Sequence, residues 1–183
     1  MDNIMNFLHI PKTAGQSVAK AIGDPSKYLG HKRIRDIYSD DDVITVVRNP
    51  YDRAVSMYYY LKNIQGDAPQ LKGLFATLNG FWNQIYNAPK SGIEHTHMKP
   101  QMWFISDEDG NISSQVTTIW RYETLNTQLD EMVDNFGFSK LEVINKSELR
   151  PDTTWLDELN EESIKQIGEL YADDFEHLNY RRL

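Results

Sequence analysis

At 183 residues, 40% of them apolar, the chain can bury one good core, and its length suits a single domain over 1–183. It holds no cysteine, which excludes a disulfide framework and a thiolate metal site. The net charge is −8, with nine Lys/Arg against seven Asp/Glu over residues 1–62 and ten against twenty over 63–183, a balance that opposes nucleic-acid binding.

No basic segment followed by a long apolar stretch opens the chain, and no window approaches a membrane span. A cytoplasmic protein without membrane insertion is therefore expected. The apolar run from Ile4 to Leu8 predicts a buried strand, and Ser17 to Ile22 predicts the first turns of a helix. Between them lies a tight turn, His9-Ile10-Pro11-Lys12-Thr13-Ala14-Gly15-Gln16, carrying one lysine. A strand, a turn and a helix N-terminus in that order make a phosphate site, because backbone N–H groups and the positive end of the helix dipole converge there. The turn departs from the Walker pattern G-x-x-x-x-G-K-[ST]: aligned on Gly15 and Ser17, Gln16 stands where the lysine belongs, and the cation has moved to Lys12.

Tyr28 to His31 reads as a short second strand and Lys32 to Tyr38 as a helical turn. Asp40-Asp41-Asp42 reads as a solvated turn before Val43-Ile44-Thr45-Val46-Val47, whose β-branched run predicts a buried parallel strand. Arg48 then falls at the carboxyl end of that strand, where open α/β sheets bind ligands. Pro50 suits the first helical position, and Ser56 lies on the helix that follows. An arginine and a hydroxyl so spaced can meet one phosphate from two sides. The plainer alternatives are a surface turn at Lys12 and Gly15, and surface ion pairs of Arg48 and Arg53 with Asp52 or Asp36, which are common and weak.

The helix from Arg53 to Ile64 carries Tyr58, Tyr59 and Tyr60 in series, which cannot all face a core. A further amphipathic helix is expected over Gln70 to Tyr86 from the stripe Leu71, Leu74, Phe75, Leu78, Phe81, Trp82 and Ile85. Asp107 to Asn111 resembles a calcium loop, but Gly110 is out of register and no glutamate closes it, so a β-turn is expected. Val116 to Tyr122 predicts a strand, Asn126 to Asn135 a helix, Leu141 to Asn145 a short strand, and Asn160 caps a last helix running to Tyr171.

Two of these segments resemble a known family. The opening turn is similar, nearly residue for residue, to the loop H-I-P-K-T-[AG]-G-[ST]-S that holds the 5′-phosphosulfate in sulfotransferases using 3′-phosphoadenosine-5′-phosphosulfate (PAPS), in their carbohydrate-acting branch; Gln16 departs from the small hydroxyl residue usual there. Arg48 to Ser56 resembles the family's 3′-phosphate motif R-[DN]-P-[YF]-x-R-x-x-S. Tyr122-Glu123-Thr124-Leu125 is similar to [RF]-[YF]-E-x-L, and Tyr171 to Tyr180 to the closing Y-x-x-D-[FY]-x-x-[FL]-x-Y.

The resemblance implies an α/β fold of the P-loop NTPase type, with three layers and a mostly parallel sheet flanked by helices. It implies PAPS as donor, 3′,5′-diphosphoadenosine (PAP) as product, and the hydroxyl of an acceptor, a carbohydrate, as the group sulfated. Lys12 then follows charge on the leaving phosphate. The N–H groups of Thr13, Ala14, Gly15, Gln16 and Ser17 hold the 5′-phosphate, and Arg48 with Ser56 the 3′-phosphate. Arg53 supports either the loop or the phosphate, and Lys146 approaches the 3′-phosphate or adenine. His97 opens an H-x-x-P-Q segment similar to one in bacterial family members and is the candidate base, with His95 behind it and Glu94 or Asp52 as substitutes. A structural histidine is the alternative, as is half of a metal site, for which the sequence offers no third ligand; no metal is expected. Two other functions fit less of the chain: a non-catalytic adenine-nucleotide binder, and a P-loop phosphotransferase using ATP.

Overall fold

The computed structural model describes residues 5–38, 41–65, 72–88, 95–128, 133, 139 and 150–183. In chain order its elements are β1 (Met5–Leu8), α1 (Gly15–Ile22), β2 (Tyr28–Gly30), β3 (Asp42–Val47), α2 (Pro50–Gln65), α3 (Leu78–Asn87), α4 (Gln101–Ile105), β4 (Val116–Arg121), α5 (Trp155–Glu158), α6 (Glu161–Leu170) and α7 (Ala172–His177), with short 3₁₀ turns between. The chain groups into two compact units, Met1–Arg48 with Gln101–Asn145 and Asn49–Pro100 with Lys146–Leu183.

The first unit holds the sheet. Its four described strands are all parallel in the order β2-β1-β3-β4, with Leu8 opposite Thr45 and Val47 opposite Arg121. This is the α/β architecture expected. The β-branched run of β3 is buried from Val43 to Val47, as befits a strand flanked on both sides by other strands. Phe7, Ile44, Val46 and Trp120 from three strands pack with Val18 and Ala21 of α1, so the helix covers the sheet with its apolar face. Phe7, Val18, Ile44 and Val46 each contribute about 1.5–3 kcal/mol on burial. Thr45, fully buried inside the sheet, donates its hydroxyl to the Leu8 carbonyl at 2.8 Å and so leaves no orphaned polar group.

The second unit is helical. Tyr51, Ala54, Val55, Tyr58 and Leu61 of α2 pack with Phe81 and Trp82 of α3, Ile167 of α6, and Tyr171 and Phe175. Asn49 caps α2, its side-chain oxygen accepting from the Tyr51 N–H at 2.9 Å, which explains the polar residue before Pro50. Asn160 caps α6 in the same way, accepting from the Ser163 N–H at 2.9 Å. The helix expected over Gln70 to Tyr86 starts later, at Leu78: residues 72–76 form a turn, and Thr77 is the cap, accepting from the Gly80 N–H at 3.0 Å. Phe75 is buried all the same, because the apolar stripe reports burial whether or not the backbone is helical. Residues 122–127 are 3₁₀ rather than the start of a helix at Asn126; beyond residue 128 only Val133 of that expected helix is described, and it is helical, while the strand expected over Leu141 to Asn145 lies outside the described residues. No helix among the described residues is long and apolar enough to cross a membrane.

Candidate active site

The chain passes from β1 to β2 on one side of the sheet and from β3 to β4 on the other, so the order reverses between β1 and β3. At such a switch point the loops diverge and open a crevice at the carboxyl ends of the strands. The loop after β1 and residue Arg48 after β3 emerge there. His9 anchors the loop: its N–H donates to the Gly30 carbonyl at 3.1 Å, and its carbonyl accepts from His31 Nδ1 at 2.6 Å. Its ring contacts those of Phe7, Tyr28 and His31. Lys12 and Ala14 both take the left-handed conformation, with φ of 70° and 68°. Non-glycine residues there cost of order 1 kcal/mol each, strain of the kind that is kept at ligand-binding loops. Buried Thr13 closes the turn by donating its hydroxyl to the Ile10 carbonyl at 2.8 Å. Helix α1 then starts with no side-chain cap and no acidic residue in its first turn, which suits an external anion.

Arg48 lies against this loop. Its Nη1 donates to the Lys12 carbonyl at 3.1 Å, and its guanidinium carbon sits 3.9 Å from the centre of the Tyr122 ring. The side-chain amide of Gln101 grips its backbone: Oε1 accepts from the Arg48 N–H and Nε2 donates to the Arg48 carbonyl, each at 2.8 Å. Burial, and next the nearby Arg48 guanidinium, lower the Lys12 pKa from 10.5 to about 8. The Lys12 ammonium thus lies within the field of the Arg48 guanidinium, next to a helix start without a side-chain cap, an arrangement that gains from a ligand with several negative charges.

In the second unit, fully buried Arg53 donates through Nη2 to the carbonyls of His97 at 3.2 Å and Lys99 at 2.8 Å. The hydroxyl of buried Tyr171 takes the carbonyl between them, that of Met98, at 3.0 Å, so three successive carbonyls of the 3₁₀ turn Thr96–Met98 and its cap are held. The His97 ring stacks on Tyr60 with centroids 5.2 Å apart, and the His95 ring lies 5.0 Å away. Asp52 is paired with Arg150 at 2.7 Å. Ser56 is a nearly buried residue of α2.

The profile of the Sulfotransferase family matches residues 2–181, nearly the whole chain. The chain belongs to the sulfotransferase family. Neither the curated proteins nor the solved structures contain a match to it. Membership assigns sulfuryl transfer as the general chemistry and implies a sulfate donor and an acceptor.

For this sulfotransferase the first unit brings together Lys12, Thr13, Ala14, Gly15, Gln16, Ser17 and Arg48 from the residues expected at the site. Arg53, Ser56, His95 and His97 belong to the second unit. The contacts of Arg53 on carbonyls 97 and 99 are those of loop support. Lys146 and Glu94 lie outside the described residues. Gln101 and Tyr122 were not expected in roles at Arg48. Both had a signal, since each falls in a segment that resembles the family, H-x-x-P-Q and Y-E-x-L respectively.

Proposed function

We propose that residues 1–183 act as one domain that transfers a sulfuryl group from PAPS to an acceptor hydroxyl on a carbohydrate. The observation that carries the reading is the convergence of Lys12 and Arg48, with the arginine on the lysine's own carbonyl and the ammonium pKa depressed to about 8. The family match across both units supports the single-domain reading. The site suits a donor with a phosphate at each end: a loop of N–H groups with one cation serves the 5′ end, and a second cation serves the 3′ end.

PAPS, when bound, supplies the sulfuryl group and departs as PAP. The N–H groups of Thr13 to Gln16 orient the 5′-phosphate, that of Ser17 being donated to the Ala14 carbonyl at 2.9 Å, and Lys12 offsets the charge that grows on the oxygen released from sulfur. Arg48 and, from the motif spacing, Ser56 hold the 3′-phosphate. His97, with His95 behind it, takes the proton of the acceptor hydroxyl as general base. Fixed cations carry the electrostatic load in this scheme, so no metal is assigned.

The test is binding and turnover with labelled PAPS across sugars, glycans, phenols and lipids. The proposed enzyme binds PAP without magnesium and labels a carbohydrate. Binding without turnover on any acceptor would make it a nucleotide binder, dependence on ATP and magnesium a phosphotransferase, and labelling of phenols or lipids alone would overturn the acceptor class.

A further inference from the structure

We propose that Gln101 is a positioning residue for Arg48, reproducing one more rung of the β-sheet beyond the end of β3 so that the guanidinium is presented to the 3′-phosphate in one orientation. The inference rests on the reading of Arg48 as the 3′-phosphate arginine.

The last register pair of β3 and β4 is Val47 with Arg121, and Arg48 follows it. A primary amide is the side chain that carries one acceptor and one donor on the same plane, as a peptide group does. Gln101 uses both on one residue, at 2.8 Å each, and is itself fully buried. With N–H and carbonyl both fixed, Arg48 keeps only side-chain torsions. Two further contacts then restrain those: the Lys12 carbonyl at 3.1 Å and the face of Tyr122 at 3.9 Å. Glutamate, methionine or leucine would fill similar space, but none of them in its ordinary charge state offers the donor and acceptor together. Displacement of a binding group by a fraction of an ångström is enough to weaken a phosphate contact, whereas a group with no part in that contact would leave the 3′-phosphate preference untouched.

The experiment compares PAP with 5′-AMP, which lacks the 3′-phosphate, by calorimetry without magnesium on the wild type, Arg48→Ala, Gln101→Met and the double variant. The ratio of the two affinities within one protein cancels any difference in folded fraction. Gln101→Met is expected to weaken PAP on the order of tenfold, leave 5′-AMP nearly unchanged, and add nothing further in the Arg48→Ala background. PAP affinity unaltered by Gln101→Met, an equal loss for both ligands, or a fully additive loss in the double variant overturns the role of Gln101 while leaving Arg48 in place. A PAP preference that survives Arg48→Ala overturns the underlying reading, and the inference with it. Should Gln101→Met fail to fold, Gln101→Glu replaces it. Its neutral carboxyl restores a donor and an acceptor, so its PAP preference relative to wild type at the same pH should recover as pH falls or stand at the wild-type level throughout, and a preference that stays lost at every pH sinks the proposal.

Discussion

The imidazole of His9 fills the space that a side chain at Gly15 would need: a Cβ built there falls 1.8 Å from His9 Cδ2 and 2.2 Å from Nε2. The histidine cannot swing away cheaply, because its backbone is tied at the end of β1 and its ring is wedged among Phe7, Tyr28 and His31. The glycine is required by close approach, and the helix start that offers N–H groups to an anion rests on that approach. Gly15→Ala is expected to cost about 1–3 kcal/mol through overpacking and to weaken PAP binding by shifting the loop. Urea denaturation and calorimetry check both. Unchanged midpoint and unchanged affinity would mean that the ring yields.

Lys12 makes binding pH-dependent with a definite sign. Its pKa in the empty protein is lowered from 10.5 to about 8, by burial first and by Arg48 second. A polyanion favours the ammonium and raises that pKa again, so binding takes up a proton where the empty site has lost one. PAP affinity should therefore fall as pH rises above 8, by up to about tenfold per unit. The phosphates of PAP are already ionised there and add no slope of their own. Calorimetry in buffers of different ionisation enthalpy should record proton uptake, and Lys12→Met should abolish both the uptake and the slope.

The stability of the empty protein carries the opposite sign. Between about 8 and 10.5 the unfolded chain keeps the Lys12 proton that the folded chain has released, so this group makes the fold more stable as pH rises through that window. The stability difference between wild type and Lys12→Met, followed by denaturation from pH 7 to pH 10, is expected to move in favour of wild type. A constant difference would show that Lys12 titrates alike in both states.

Much of this site was readable because its chemistry is local. The apolar run, the lysine in the bend and the helix start sit within a dozen residues, and Arg48 follows directly on a β-branched strand, so sequence order alone places them at strand ends. What escaped notice depends on distance or on backbone conformation. Nothing in Gln101 by itself says that its amide will meet the backbone of Arg48. The left-handed φ of Lys12 and Ala14 runs against side-chain propensity, which reserves that region for glycine and asparagine. The late start of α3 shows a different limit. Leu74 and Phe75 continue the apolar stripe and Phe75 is buried, but the cap is Thr77, and a cap outranks periodicity in setting where the ladder begins.

Arg53 and Tyr171 offer a way to separate loop support from phosphate binding. Together they hold the carbonyls of His97, Met98 and Lys99. Tyr171→Phe leaves the Met98 carbonyl without this donor and should destabilise the protein by about 1–3 kcal/mol, a fall of roughly 2–4 °C in Tm for each kcal/mol. Arg53→Met should destabilise at least as much and lower turnover, while the affinity of the folded fraction for PAP stays near that of the wild type. If Arg53→Met weakened PAP relative to 5′-AMP as Arg48→Ala does, Arg53 would be a phosphate ligand and not a loop support.

His97 is the sharpest test of the proposed chemistry. Its backbone carbonyl is fixed by Arg53, and its ring is stacked on Tyr60, so its imidazole is oriented before any substrate arrives. General-base catalysis contributes typically 10²–10⁴-fold, and His97→Ala should lower kcat by about that amount with PAP affinity unchanged. The pH profile of kcat/KM for the donor separates causes, since loss of the base removes the rise on its acid side while the Lys12-dependent fall above 8 persists. A variant that kept full turnover would remove His97 from the proton transfer and make His95 the next residue to substitute, whose ring lies 5.0 Å from that of His97.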